Sequence, residues 1–268
     1  MNNELAKLAE SMNYISPMRY ISGRITEYDI SSANITMLRK YNKISEDYYC
    51  YLSKLPKYNR EVEIGLLIQS DRSYYDIIRD GIIEAKKMLF MSNNIDMNNI
   101  VRIANDAVYI NSSNDLTYTE FDTVVFKKKS QHNCMLRLDK LIFFLSFNYN
   151  TDYINIDIKG LNDNAINLHS NYLINSIVEA IYILERSTID EALKCVQQLY
   201  ENYIHLRLPK EYYRELTPES LYHYKDSKFY LMDIDTIDHI DINHNLYLIR
   251  ELYSIILEKY NISVTRRN

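Results

Sequence analysis

The sequence predicts an α+β fold in which an antiparallel sheet backed by helices is followed by a mostly helical domain. Apolar and polar residues alternate in several segments of the first 160 residues, and INIDIKG, residues 154–160, alternates almost strictly. Beyond that segment, apolar residues recur at helical spacing, most clearly over residues 171–186. We therefore expect an α+β domain over residues 1–160 and a helical domain over residues 161–268.

The start of the chain predicts a short helix and then a strand. Residues 3–15 place their apolar side chains on one helical face. From Arg19 to Asp29, β-branched and aromatic residues favour a strand. Ser31 or Ser32 is a suitable N-cap for a helix that follows. Asp29 is therefore expected where a strand turns into a helix.

Two further helices are predicted before the next strands. Residues 45–55 have a helical pattern that is rich in tyrosine. Residues 73–91 have the clearest amphipathic pattern of the first half, with Ser73 and Asp76 as a capping pair. The stretch NIVRIANDAVYIN, residues 99–111, then predicts a strand, a tight polar turn and a second strand.

The remaining elements follow from alternation and capping signals. Thr117–Phe126 predicts a strand that ends in a run of three lysines. Residues 134–147 and 152–158 are again rich in strand-forming residues. Four helices are expected in the second domain: residues 171–186, a helix capped by Thr188 and Glu191, a short one from Thr217-Pro218, and residues 245–260.

The composition excludes several functional classes. With only 4 glycines in 268 residues, the chain lacks the glycine-rich loops that cradle phosphates in P-loop and dinucleotide-binding proteins. Its 3 cysteines are far apart, which fits neither a disulfide framework nor a cysteine-based zinc site, and a reducing compartment is expected. The net charge of -5 argues against nonspecific coating of nucleic acid, although a locally basic groove stays open.

The sequence also predicts the cellular setting. It has no signal-peptide pattern at its start and no apolar run long enough to span a bilayer, so no membrane partner is expected. The abundance of Asn, Ile, Lys and Tyr is typical of an AT-rich genome, such as that of a phage or a low-GC bacterium. We expect a cytoplasmic protein, in the host cytoplasm if a phage encodes it.

Two aspartates are the candidates for chemistry. Asp29 ends one predicted strand, and Asp106 lies in the turn of the predicted hairpin. If the strands are neighbours, the two carboxylates meet at their ends and would hold divalent metals about 4 Å apart over a phosphate. The alternative is structural, because Asn-Asp is common in turns and an aspartate before a helix is often a cap.

Four segments resemble family B DNA polymerases. YDISSANI, residues 28–35, is similar to the family's first palm motif, and RIANDAVYI, residues 102–110, to its catalytic hairpin. Between them, PKYNREVEIG, residues 56–65, resembles the finger helix that contacts the incoming triphosphate. IKGLNDN, residues 158–164, resembles the segment that leads into the thumb. The resemblance covers about residues 20–205 and implies a palm-like domain followed by a thumb-like domain.

The resemblance implies roles for individual residues. Asp29 and Asp106 would hold Mg²⁺ or Mn²⁺, assisted by the main-chain carbonyl of Ile30. Lys57 and Arg60 would face the nucleoside triphosphate. Template or primer phosphates would be contacted by four lysines: Lys127, Lys128, Lys129 and Lys159. The bland alternative for the lysine run is a solvated strand end, and Lys57 and Arg60 are equally ordinary for a helix surface.

The departures from the family pattern leave several functions open. Asn34 stands where the family has the tyrosine that excludes ribonucleotides, and the hairpin offers one acidic residue where the family has two. The implied function is a small DNA polymerase-like or primase-like nucleotidyltransferase, which an additional polymerase or replication subunit would complete if the enzyme is split. The alternatives are a non-catalytic phage protein that binds nucleic acid or another protein through a degenerate palm scaffold, and a metal-dependent nuclease.

A separate acidic segment is a second candidate metal site. DIDTIDHIDINH, residues 233–244, alternates aspartate with isoleucine and carries two histidines. Carboxylates and imidazoles so close in sequence suit a divalent ion. A strand or loop with one solvated face explains the same pattern.

Overall fold

The computed structural model describes residues 3–148, 153–161, 163–213, 222–225, 228–231 and 242–265. The chain forms two compact units. Unit 1 consists of Met1–Pro17 and Gly23–His132, and unit 2 of Met18–Ser22 and Asn133–Asn268. The predicted α+β class is confirmed, with an antiparallel sheet and with helices dominating the C-terminal part.

Unit 1 contains five helices and the first strands of the chain. The helices are α1 (Asn3–Glu10), α2 (Ala33–Lys40), α3 (Glu46–Lys54), α4 (Lys57–Ser70) and α5 (Ser73–Ser92). The strands are β1 (Asn13–Ile15), β2 (Tyr20–Ile30), β3 (Ile100–Ala104), β4 (Ala107–Asn111), β5 (Glu120–Phe121) and β6 (Val124–Leu138). Strands β2 and β6 are long, and each supplies residues to both units.

The sheet of unit 1 runs in the order β1-β3-β4-β2-β6, so the hairpin of β3 and β4 lies directly beside β2. The β4 and β2 strands are antiparallel, with Ala107 opposite Asp29 and Tyr109 opposite Glu27. Side chains of paired residues point to the same side of a sheet. This register places Asp29 next to the residue that follows Asp106.

The core of unit 1 covers one face of this sheet. Tyr28 and Ile30 of β2 and Val108 of β4 are buried there. The same cluster contains buried residues of α2 and α5, among them Met37 and Leu89. Alternation along β2 therefore directs Glu27 and Asp29 to the opposite face, away from the helices.

Unit 2 joins the second part of β6 to two more strands and four helices. The strands β7 (Leu141–Asn148) and β8 (Tyr153–Lys159) continue the antiparallel pairing from β6. Helices α6 (Asp163–His169), α7 (Leu173–Arg186), α8 (Ile189–Ile204) and α9 (Ile242–Thr265) follow, with a hairpin of β9 (Tyr222–Lys225) and β10 (Lys228–Leu231) before α9.

Alternating apolar residues of β7 build the core of unit 2. Phe143, Leu145 and Phe147 are buried together with apolar residues of α7, α8 and α9. The fully buried Tyr203 of α8 packs against Tyr213, with ring centroids 4.6 Å apart. Burial of large aromatic and aliphatic side chains is the main source of stability in such a core.

Several predicted element ends differ from the structure. The first helix stops at Glu10, and residues 13–15 pair with β3 as a strand. Ser32 stands at the start of α2, but its backbone is left-handed with φ 51° and its side chain makes no capping hydrogen bond. The predicted Ser73–Asp76 pair does not cap α5, because Asp71 instead accepts hydrogen bonds from the amide and hydroxyl of Ser73.

Other local predictions are confirmed or lie elsewhere. Thr188 and Glu191 form a complete capping box at the start of α8. The lysine run falls inside β6 and not at a strand end, because that strand continues to Leu138. The helix predicted from Thr217-Pro218 and most of the 233–244 segment lie outside the described residues. Within the described part of the chain, no helix is both long and apolar enough to cross a membrane.

Candidate functional site

Asp29 and Asp106 lie side by side at one end of the sheet of unit 1. Asp29 is the second-last residue of β2, and Asp106 is in the two-residue turn between β3 and β4. The two residues are each half-buried, and their carboxyl groups are close enough for a hydrogen bond between them to contribute to the raised pKa of Asp106. The structure thus brings together the two candidates that are 77 positions apart, by the pairing of β2 with β4.

The turn that carries Asp106 is held by the start of the chain. Asn105 has a left-handed backbone with φ 55°, a conformation that asparagine tolerates better than most residues. The main-chain amide of Asn105 donates a hydrogen bond of 2.7 Å to the main-chain carbonyl of Met12. This contact orients the turn and with it the Asp106 carboxyl group.

Burial and the charge of Asp29 shift the ionisation of Asp106. Burial raises the pKa of Asp106 to about 6, and the neighbouring Asp29 carboxylate adds to the rise. Lys129 acts in the opposite direction. Two carboxylates in contact repel each other when both are ionised. A shared proton or a bound cation would relieve this repulsion.

Lys129 supplies positive charge beside Asp29. Its Nζ lies 3.2 Å from Oδ2 of Asp29 and 3.5 Å from Oε1 of Glu27. Partial burial acts to lower the pKa of Lys129, but the carboxylates of Glu27 and then Asp29 raise it above its ordinary value. Because its side chain is 59% exposed, Lys129 is free to swing away from the acids.

Glu27 extends the acidic site along β2. Its side chain is only 5% exposed, and its Oε2 accepts a hydrogen bond of 2.7 Å from the Ser130 hydroxyl. Ser130 also lies 2.9 Å from Nε2 of His132, which is buried. The buried Glu27 carboxyl group, held by Ser130 and Lys129, therefore lies on the same face as Asp29 and two residues before it.

Lys86 approaches the hairpin turn from helix α5. It is fully buried, and its Nζ donates a hydrogen bond of 2.5 Å to the carbonyl of Ser11. Burial lowers the pKa of Lys86 to about 8, while the Asp106 carboxylate acts to raise it. This ammonium therefore faces both the turn and the chain segment that holds the turn.

The predicted nucleotide-facing residues lie on neighbouring helices. Asn34, in the first turn of α2, donates a hydrogen bond of 2.8 Å to Glu61 of α4. Lys57 is exposed, and its position one turn before Glu61 puts it on the same side of α4. Arg60 is half-buried, and like Lys57 it forms no side-chain ion pair within the described residues. These contacts link α2 to α4 through Asn34 and Glu61.

The predicted nucleic-acid lysines are dispersed. Lys127 is exposed, whereas Lys128 pairs with Asp115 at 3.0 Å and Lys129 pairs with the acidic site. Lys159 belongs to unit 2 and pairs there with Asp157 at 2.8 Å. Of the predicted lysines, Lys129 is the one that forms an ion pair with Asp29 within the described residues.

Sequence reasoning missed Glu27 and Lys86. The signal for Glu27 is present, since residues 27 and 29 of a strand share a face. Nothing local marks Lys86, because a lysine in an amphipathic helix is ordinarily solvated. Its burial follows from the packing of α1 against α5, which covers the middle of α5 with the first residues of the chain.

The donors at this site suit a hard divalent cation. Carboxylate oxygens of Asp29 and Asp106 and the main-chain carbonyl of Ile30 are oxygen ligands of the kind that Mg²⁺ and Mn²⁺ bind. The pKa of Asp106 is raised first by burial and then by the charge of Asp29, so a bound cation would favour the ionised form of Asp106. The residues present therefore fit a metal ion bound between the two carboxyl groups.

Comparison with known families gives a match over nearly the whole chain. The model of the family described as Bacteriophage PBS1 gene 130 protein matches residues 2–258. A search of curated proteins finds no match. The match covers both units and includes Asp29 and Asp106, and it supports a phage origin. The chain belongs to the Bacteriophage PBS1 gene 130 protein family.

Proposed function

We propose that this protein is a metal-dependent nucleotidyltransferase that acts on nucleic acid, as a small DNA polymerase-like or primase-like enzyme. The observation that carries the proposal is the contact between Asp29 and Asp106, at the end of a strand and in the turn of the adjacent hairpin. The resemblance of residues 28–35 and 102–110 to the palm motifs of family B DNA polymerases supports the same reading. The proposed location is the cytoplasm of the phage host.

In this proposal, Asp29, Asp106 and the Ile30 carbonyl hold Mg²⁺ or Mn²⁺. The bound metal supplies charge stabilisation to the attacking and leaving oxygens of a phosphoryl group. Asp29 is positioned by strand pairing, and Asp106 by the Asn105–Met12 hydrogen bond. Such rigid placement matters because phosphoryl transfer depends mainly on positioning and electrostatics.

The chain's other residues supply the substrate contacts. Lys57 and Arg60 bind the triphosphate of the incoming nucleotide, and Asn34 lies beside the sugar. Lys127, Lys128 and Lys129 contact strand phosphates from β6, and Lys159 does so from β8. Nucleic acid and nucleoside triphosphates are therefore the proposed partners, together with a further polymerase or replication subunit if the enzyme is split.

The test is strand extension by the purified chain. A labelled primer–template and a primer-free template are each incubated with deoxynucleotides or ribonucleotides, with Mg²⁺ or Mn²⁺ and with EDTA as the metal-free control. Product that grows only with metal and only with wild-type protein supports the proposal. A folded wild-type chain that makes no product under any of these conditions overturns the catalytic function.

Asn34 gives a finer prediction about sugar selection. We expect Asn34→Tyr to reduce ribonucleotide incorporation about tenfold more than deoxynucleotide incorporation, because a larger ring fills the space beside the 2′-hydroxyl group. The measurement is kcat/KM for both nucleotides in the extension assay. Asn34→Ala is the control, since it also removes the hydrogen bond to Glu61 but adds no bulk. Equal losses for both sugars would contradict this role.

Lys129 favours a second candidate, a non-catalytic protein that binds nucleic acid or another protein. Its ammonium group pairs with Asp29 and Glu27 and so supplies positive charge that a bound metal ion would otherwise supply. We expect Lys129→Met to tighten Mn²⁺ binding about tenfold in calorimetry, because the competing internal cation is removed. Lys128→Met is the control, since that lysine pairs with Asp115 instead. If neither wild type nor Lys129→Met binds Mn²⁺, the non-catalytic function is favoured.

A further inference from the structure

Arg102 lies on the same face of the unit 1 sheet as the acidic residues, opposite the face that packs against the helices of unit 1. In the register of the sheet, Arg102 pairs with Tyr109, and Tyr109 pairs with Glu27. The next row of the same face runs from Ala104 through Ala107 to Asp29. All of these side chains therefore point away from the helices of unit 1.

The guanidinium group of Arg102 lacks an anion. Its Nη1 atom is buried and has no hydrogen-bond partner, and the side chain forms no ion pair with the residues that the structure describes. Buried guanidinium nitrogens in proteins are ordinarily hydrogen-bonded, because leaving one unpaired is costly. By contrast, Arg24 of the same unit binds Asp115, Gln131 and the carbonyl of Ser113.

Tyr109 holds Arg102 in place. The guanidinium carbon lies 5.8 Å from the centre of the Tyr109 ring, and that ring is only 2% exposed. A guanidinium group over an aromatic ring keeps its N–H edge free to bind a planar or tetrahedral anion through two hydrogen bonds. Arg102 is therefore a positioned cation whose Nη1 has no hydrogen-bond partner among the described residues.

We propose that Arg102 binds a phosphate group of the substrate of this site, which rests on the proposed nucleotidyltransferase function. Arg102 is two strands away from Asp29, or about 10 Å across the sheet, and one residue pair along it, about 7 Å. At that separation its ligand is a phosphate other than the one that reacts at the two aspartates. The residues between Arg102 and Asp29 on this face include Ala104 and Ala107, whose side chains are small.

The phosphate has two sources, the nucleic-acid strand and the free nucleotide, and the experiment separates them. Binding of a fluorescein-labelled single-stranded DNA oligonucleotide is measured by anisotropy in EDTA over a series of salt concentrations, and a fluorescent deoxynucleoside triphosphate is measured in parallel. We expect Arg102→Gln to weaken oligonucleotide binding about tenfold and to reduce the salt slope by about 0.7, the value of one lost phosphate contact. Arg102→Lys should recover part of the affinity, because it restores charge without the planar fork.

Arg24→Gln is the matched control, because the Arg24 guanidinium group already donates hydrogen bonds to Gln131, Ser113 and Asp115. We expect this variant to bind DNA like wild type. A loss for Arg102→Gln that is confined to the triphosphate assigns the phosphate to the nucleotide. Unchanged binding of both probes by a folded Arg102→Gln variant, or no binding of either probe by wild type, overturns the inference. These assays need no metal, so they test the phosphate site separately from catalysis. If Arg102→Gln binds more weakly than wild type but the wild-type chain extends no primer, the proposed catalysis is overturned and the phosphate site is supported.

Discussion

Asp29→Asn and Asp106→Asn should each lower the rate of metal-dependent strand extension by at least about 10³-fold, which corresponds to about 4 kcal/mol in the activation barrier. Both substitutions keep the size of the side chain but remove a negative charge that the proposed metal site requires. Asparagine binds Mg²⁺ far less well than a carboxylate does, because it brings no charge. The measurement is single-turnover primer extension with Mg²⁺ and with Mn²⁺.

The control for this result is Asp115→Asn. Asp115 is a carboxylate of the same unit that pairs with Arg24 and Lys128 and has no contact with the acidic pair. We expect this variant to retain wild-type extension. If the wild-type chain extends the primer and either Asp29→Asn or Asp106→Asn is active within about tenfold of it, the pair does not carry the chemistry.

The same Asp106→Asn substitution should make the protein more stable at neutral pH. In the folded chain the pKa of Asp106 is raised from 3.8 to about 6, mainly by burial and then by the charge of Asp29. The folded state thus holds a proton that the unfolded state has already lost between these two values. Ionisation of Asp106 destabilises the fold progressively as the pH rises through this window, and fully above pH 6.

Asparagine has no such ionisation. We expect Asp106→Asn to increase the free energy of unfolding by about 1–2 kcal/mol at pH 7.5, a figure that allows for solvent screening of this half-buried group. The gain should shrink towards zero near pH 4, where the wild-type carboxyl group is protonated in the folded state. Urea unfolding followed by circular dichroism at pH 4, 5.5 and 7.5 measures both values.

Asp115→Asn should show the opposite dependence on pH. Hydrogen bonding from Lys128 lowers the pKa of Asp115, with Arg24 contributing charge, so its ionised form favours the folded state. Its replacement should therefore not stabilise the protein at pH 7.5. A loss of stability in Asp106→Asn at pH 7.5 would indicate that the two carboxyl groups support each other through a shared proton, and that the repulsion inferred here is absent.

The acidic pair was predictable because its two halves are local patterns. A strand that ends before a helix carries Asp29, and a hairpin with a polar Asn-Asp turn carries Asp106. Both patterns depend on residues within a few positions of the aspartate. The order of the strands could not be predicted from these local patterns. The structure shows that β4 lies beside β2.

The cations around the pair were not predictable in the same way. Lys129 meets Asp29 across 100 positions of sequence, and Lys86 meets Ser11 across 75. No periodicity within one segment encodes such contacts, because they depend on the register of β6 and on the docking of α1. Helix starts were harder still, since Asp71 and not Ser73 provides the acceptor at α5, and neighbouring polar residues compete for that role.

The hydrogen bond from Asn105 to Met12 connects the turn that carries Asp106 to the segment after α1. Lys86 donates a hydrogen bond to the carbonyl of the adjacent Ser11. Ser11 and Met12 therefore hold in place a turn, and the Asp106 carboxyl group on it, that lie far from them in sequence. A form that lacks residues 1–12 would keep Asp29 and Asp106 but would remove the acceptors of the Lys86 ammonium and the Asn105 main-chain amide, so the turn would lose its alignment.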